Sequence, residues 1–167
     1  SSLQAFQDTD VAPPLAGIIP IMPGSNPQVQ AVNVIGTRNV IEAARLSRIR
    51  RLVYTSSIHA LSRIPHGTTI DESVPFDPQN AISAYDHSKA QASLEVLNAV
   101  KEGMDAVIAC PTGVIGPYDF RGSELGQLIL DCALHKPMFY VDGAYDFVDV
   151  RDVAQGLALL SENGQTG

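Results

Sequence analysis

Val29, Val32, Gly36, Val40, Ile41 and Ala44 recur at the three- and four-residue spacing of an amphipathic helix. Ser25 or Asn26 ahead of Pro27 provides a start signal, and the pattern runs to about Arg48. The period then changes. Leu52-Val-Tyr-Thr-Ser-Ser57 is a short apolar burst ending in hydroxyls, the form of a buried parallel strand meeting a loop. A long loop punctuated by Pro65, Gly67, Pro75 and Pro78 leads to a second helix, expected over 81–101 and closed by Gly103. Ala106 to Cys110 reads as another buried strand, and the turn-rich run from Pro111 to Pro117 as a loop at its carboxyl end.

Beyond that loop, Leu125 to His135 reads as helix, Met138 to Val141 and Phe147 to Val150 as short strands, and Asp152 to Leu160 as a last helix. The first 30 residues are irregular. Val11 to Ile19 is apolar enough for a strand, but Pro13 and Pro14 cannot donate to a ladder and demote it to an edge or a strand end. Alternating strands and helices predict an α/β fold, part of a Rossmann-type doubly wound parallel sheet.

Composition narrows the possibilities. Of the 167 residues 45% are hydrophobic, enough to form a core and to exclude a disordered chain. Eleven Lys and Arg against 18 Asp and Glu leave a formal charge of −7, which argues against a nucleic-acid partner. No apolar run approaches the ~18 residues of a bilayer span, so no membrane partner is expected. Cys110 and Cys132 lack metal or disulfide spacing, and no metal is expected. No charged-then-apolar leader opens the sequence; a reduced, cytoplasmic setting is the expectation.

In open parallel sheets, ligands bind outside the carboxyl ends of the strands. Three clusters are expected at such ends: Ala16-Gly17, Thr55-Ser56-Ser57 and Pro111 to Pro117. Tyr85-Asp-His-Ser-Lys89 adds a phenol and an ammonium one helical turn apart. A free tyrosine titrates near ~10, and a fixed cation nearby favours its phenolate. Tyr85 beside Lys89, with a hydroxyl from a neighbouring strand end, is suited to moving a proton on a carbonyl or alcohol oxygen. By itself the Tyr-x-x-x-Lys spacing is a loose pattern. His59 and His66 read as solvated loop residues, Asp152 as the N-cap of the final helix, and His87 as pointing away from the Tyr85–Lys89 face.

The order of motifs is more specific. Asn33-Val-Ile-Gly-Thr37, Leu52-Val-Tyr-Thr-Ser-Ser57, Tyr85-Asp-His-Ser-Lys89, Pro111-Thr-Gly-Val-Ile-Gly-Pro117 and Phe147-Val-Asp-Val-Arg-Asp-Val153 together resemble the extended short-chain dehydrogenase/reductase family. That group holds NAD-dependent epimerases, dehydratases and dihydroflavonol-reductase-like enzymes. The resemblance implies Tyr85 as general acid/base, Lys89 as the residue that bonds the nicotinamide ribose and lowers the tyrosine pKa, and Ser57, rather than Ser56, as the hydroxyl polarising the substrate oxygen. It further implies that Ala16, Gly17, Thr55, Ser56, Pro111, Thr112 and Val114, with Tyr85 and Lys89, line a site for NAD or NADP. Asn33 is implied to steady the active-site strand.

The implied reaction is hydride transfer to or from a carbon whose oxygen Tyr85 protonates or deprotonates. Ketone or alcohol redox on a small molecule and epimerisation of a nucleotide sugar share this machinery. A non-catalytic nucleotide-binding or regulatory relative, or an inactive fragment, is the competing expectation. A homodimer is implied too, built on Ile41, Ala44, Ala90, Ser93 and Leu94. The family's glycine-rich turn, which holds the cofactor pyrophosphate at a helix N-terminus, does not occur in these 167 residues. The sequence therefore reads as the middle and C-terminal part of a Rossmann-type domain. The N-terminal glycine-rich unit and most of the substrate-binding part are expected elsewhere, in a longer protein or a partner chain.

Overall fold

The computed structural model describes residues 2–19, 26–65, 67–80, 82–136 and 143–167. Three parallel strands form the central sheet in the order β1 (Val11–Ala12), β2 (Arg51–Thr55), β3 (Ala106–Ala109). Register pairs Ala12 with Leu52, then Leu52 to Thr55 with Ala106 to Ala109. Leu52, Val53 and Ala106 are completely buried, as the unbroken apolar runs required. The prolines act as expected on β1: pairing covers two residues of the Val11–Ile19 segment and stops before Pro13. A four-residue helix, α1 (Ser2–Ala5), precedes it, where the sequence suggested only irregular chain.

The first long helix is present but compound. Asn26 caps it, its side chain accepting from the Gln28 N–H, with Pro27 at the first position. The helical chain then runs through α2 (Pro27–Val29), a π-helical turn over Gln30–Ile35, and α3 (Gly36–Ser47). Arg48 ends it in the left-handed conformation, φ 53°. The second long helix, α4 (Ala84–Lys101), begins three residues later than the sequence suggested. Ser83 and Asp86 set that boundary: the serine hydroxyl accepts from the Asp86 N–H and donates to its carboxylate, a reciprocal cap. Ala92, Val96 and Ala99 of α4 pack with Leu52, Tyr54 and Ala106 of the sheet and Ile41 of α3.

The run from Pro111 to Pro117, expected as loop, contains a strand. β4 (Gly113–Ile115) pairs in parallel with β5 (Phe147–Asp149), forming a second, two-stranded sheet. Helices α5 (Glu124–Ala133) and α6 (Val150–Asn163) complete the described elements. Asp149, and not Asp152, caps α6, accepting from the Arg151 N–H; Asp152 lies inside the first turn. The strand expected at Met138 to Val141 lies outside the described residues.

The residues expected to form a dimer face are packed inside the chain. Ala90 and Ser93 are fully buried, Ala44 and Ile41 nearly so, and Leu94 is half-buried. They face the sheet and each other, while Arg38–Glu95 and Arg45–Glu102 ion pairs join α3 to α4 on the solvent side. No helix among the described residues is long and apolar enough to cross a membrane.

Candidate active site

Because all three strands of the central sheet are parallel, their carboxyl ends open on one edge. The segment after β1, the Thr55-Ser56-Ser57 turn after β2 and the Cys110-Pro111-Thr112 turn after β3 meet there. The turns are tied together: Ser56 N–H donates to Ala109 O at 2.7 Å and Ile58 N–H to Pro111 O at 3.1 Å. Helix α4 crosses this edge with its N-terminal half, bringing Tyr85 and Lys89 to the strand ends.

Lys89 is buried, and its ammonium donates to the Thr55 carbonyl at 2.7 Å while lying 5.2 Å above the centre of the Tyr54 ring. Burial, which disfavours charge, pulls the Lys89 pKa down to about 8. Of its three N–H donors one is used by Thr55, which leaves two for a ligand. The Thr55 hydroxyl is buried without a hydrogen-bond partner, a polar atom available to whatever occupies the edge.

Tyr85 is half-buried, and burial holds its pKa above the ordinary tyrosine value. The contribution that lowers it comes from the Ser57 hydroxyl; the nearby charge of Asp86 and the Tyr145 phenol raise it further. The resemblance implies that Lys89 draws Tyr85 toward phenolate. Here desolvation dominates, and the ammonium is turned toward Thr55 O and the Tyr54 ring. A phenol in this setting is protonated at neutral pH and able to donate.

The two serines point in different directions. Ser57 is the hydroxyl beside Tyr85, and it also caps a short turn by accepting from His59 N–H. The Ser56 hydroxyl points into the core, 2.6 Å from that of Ser93, which in turn donates to Lys89 O. With its N–H bonded to Ala109, Ser56 has only its carbonyl left for a cofactor, so its side chain belongs to helix–strand packing.

Asn33 sits buried in the π-helical turn. Its amide brackets Ile18, accepting from the N–H and donating to the carbonyl, both at 2.9 Å, and also donates to Ser88 Oγ at 2.9 Å. Ser88 Oγ donates to the Tyr85 carbonyl. One side chain thus anchors the segment after β1, which carries the exposed Ala16 and Gly17, to the helix bearing Tyr85.

Thr112 lies at the edge with Pro111, lining a cavity of about 670 Å³ that also includes Ile58, His59, Asp86 and Tyr145. Val114 is on β4 opposite Val148, one backbone edge engaged in the ladder, and borders a separate cavity with Asp119 and Asp149. His59 is not simply solvated: its Nε2 lies 2.6 Å from the Tyr145 hydroxyl and its Nδ1 3.9 Å from Asp86. The two residues are 86 apart in the sequence, and no spacing pattern could have linked them. His87 Nδ1 donates to Pro78 O at 2.8 Å, and His66 lies outside the described residues. No cluster of metal-ligating side chains occurs among the described residues.

Comparison with known proteins identifies the family. The NAD dependent epimerase/dehydratase family matches residues 14–167. The chain belongs to that family. A Methylococcus capsulatus protein, sterol demethylase protein B, is 35% identical over 154 residues, covering 91% of this chain and 46% of its own. Cinnamoyl-CoA reductase 1 of Petunia hybrida is 36% identical over 137 residues, covering 77% of this chain and 41% of its own. The crystal structure of gox2253 superposes with a TM-score of 0.89 at 32% identity, over 98% of this chain and 50% of that one. A UDP-N-acetylglucosamine 4-epimerase from Methanobrevibacter ruminantium has the same fold, with a TM-score of 0.85 at 21% identity, over 99% of this chain and 56% of that one. The chain spans less than half the length of these curated relatives.

Proposed function

We propose that this chain carries the proton-handling part of an NAD(P)-dependent oxidoreductase, with Tyr85 as general acid/base, Ser57 polarising the substrate oxygen and Lys89 holding the cofactor ribose. The observation that carries the reading is the meeting of Tyr85, Ser57 and Lys89 at the carboxyl edge of a parallel sheet.

The residues fit the nicotinamide-ribose end of a dinucleotide. Lys89 has two unused donors and Thr55 an unpartnered buried hydroxyl, both suited to ribose hydroxyls, and Pro111 is tied to the turn after Thr55 through its carbonyl on Ile58 N–H. When bound, NAD or NADP supplies or accepts the hydride. Ser57 donates to the substrate oxygen and fixes it near Tyr85; the protonated Tyr85 then delivers its proton as charge develops on that oxygen. In the oxidative direction Tyr85 removes the same proton. Lys89, held on the Thr55 carbonyl, offers its ammonium to the ribose while it is charged, below its pKa of about 8.

Carbonyl reduction of a small molecule is the favoured reading, because the named relatives include a reductase. The test is nicotinamide oxidation with a dihydroflavonol and a steroid ketone, each with NADH and NADPH, and epimerisation of UDP-glucose with NAD, in the protein containing this chain. Turnover of one substrate that drops about a hundredfold or more in Ser57→Ala supports the reading. Unchanged turnover in that variant contradicts it.

A further inference from the structure

We propose that Tyr145 orients the substrate in this site and that His59 is the positioning residue that holds it. The inference rests on the oxidoreductase reading above and extends it to a side chain supplied by the second sheet.

Tyr145 lies just before β5, far from the Tyr85–Lys89 pair in sequence, yet it lines the same cavity as Asp86 and Thr112 and is close enough to Tyr85 to raise that phenol's pKa. It is held on three sides. Phe147 packs against the ring, 5.4 Å between centres. His59 stacks on it at 6.0 Å with planes 28° apart and meets its hydroxyl through Nε2 at 2.6 Å. Gly113 lies beneath: a Cβ added there would meet Tyr145 Cε1 at 2.6 Å and Phe147 Cδ1 at 2.8 Å, so the ring occupies the space that a side chain would need. The Asp86 carboxylate, fixed by the Ser83 hydroxyl, lies 3.9 Å from His59 Nδ1 on the other side of the ring.

A tyrosine hydroxyl donates one hydrogen bond and accepts more than one. The His59 contact uses one of these directions and fixes the oxygen in space, leaving another for a polar group on a molecule in the cavity. The walls around it include the apolar Ile58 and Leu61. Asp86 and Asp146 outnumber the one arginine, Arg63, on the lining, so a doubly charged diphosphate is disfavoured there. The cavity suits an uncharged ketone or secondary alcohol with an apolar body and a second hydroxyl or carbonyl near the reacting carbon. Tyr145 bonds the second group while Ser57 and Tyr85 bond the first.

The experiment compares Tyr145→Phe, His59→Ala and His59→Gln with the unaltered protein, using whichever of the dihydroflavonol and the steroid ketone turns over faster. Tyr145→Phe is expected to raise KM about fivefold to tenfold with kcat changed by no more than about twofold, the signature of one lost hydrogen bond. His59→Ala should reproduce the KM rise, the double variant should add little to it, and His59→Gln, which keeps a polar group in reach of the Tyr145 hydroxyl, should recover most of it. Cofactor affinity, measured in parallel, should stay unchanged. Unaltered KM in both Tyr145→Phe and His59→Ala, with Tyr85→Phe still inactive, overturns the inference alone. Retained turnover in Tyr85→Phe overturns the oxidoreductase reading beneath it.

Discussion

Replacing Lys89 with methionine should separate what the buried ammonium costs the fold from what it contributes to the site. In the folded chain its pKa falls from 10.5 to about 8, chiefly because burial disfavours the charge. At about 1.4 kcal/mol per pKa unit, the charged form weakens folding by about 3 kcal/mol at neutral pH. The sign follows from proton counts. Between about 8 and 10.5 the unfolded chain binds more protons than the folded one, so Lys89 makes stability rise with pH through that window. Below about 8 the full penalty is present. Methionine removes the penalty but leaves the Thr55 carbonyl without its 2.7 Å partner, a loss of about 1–3 kcal/mol. The balance at pH 7 lies between no change and a gain of about 2 kcal/mol. Urea denaturation of both proteins from pH 7 to 10.5 reads this out. The unaltered chain should gain stability relative to Lys89→Met as pH rises. Parallel curves would refute the assignment of a depressed pKa to Lys89, as would a methionine variant several kcal/mol less stable at pH 7.

Three further outcomes follow from the same contacts. Asn33→Ala removes three hydrogen bonds at once, two to the Ile18 backbone and one to Ser88, and should cost about 1–3 kcal/mol by chemical denaturation; a neutral effect would show that water replaces them. Gly113→Ala forces a methyl against Tyr145 and Phe147, so a loss of about 1–3 kcal/mol together with a raised KM is expected, measured by denaturation and steady-state kinetics. Cofactor affinity should weaken as pH rises through about 8, where Lys89 loses its charge, and titrations of NADH and NADPH across that range test it.

Legibility in the sequence depended on whether a feature was local. The strand at 51–55 and helix α4 followed from apolar run length and from cap chemistry, which a few adjacent residues determine. The Tyr85–Lys89 pair followed from one helical turn and strand-end placement, while the choice of Ser57 as their hydroxyl partner came from the family resemblance. What escaped depended on contacts between distant segments. β4 is three residues long and exists through pairing with β5, which the turn-rich composition of Pro111 to Pro117 hid. The His59–Tyr145 bond joins two loops across 86 residues. Small apolar residues on α3 and α4 serve helix–helix packing and a dimer face equally well by type, and burial shows that Ile41, Ala44, Ala90 and Ser93 are used for packing within the chain. Asp149 and Asp152 are equally good caps by type; the pairing of Phe147–Asp149 in β5 decides where the helix begins.

The central claim is that Tyr85 moves the proton. Tyr85→Phe keeps the ring that α4 buries and removes only the hydroxyl beside Ser57. Turnover and cofactor affinity of this variant, measured together, test the claim most directly. A fall in kcat of about a hundredfold or more with NADH and NADPH affinity unchanged is the predicted result. Turnover that survives the substitution would contradict the account.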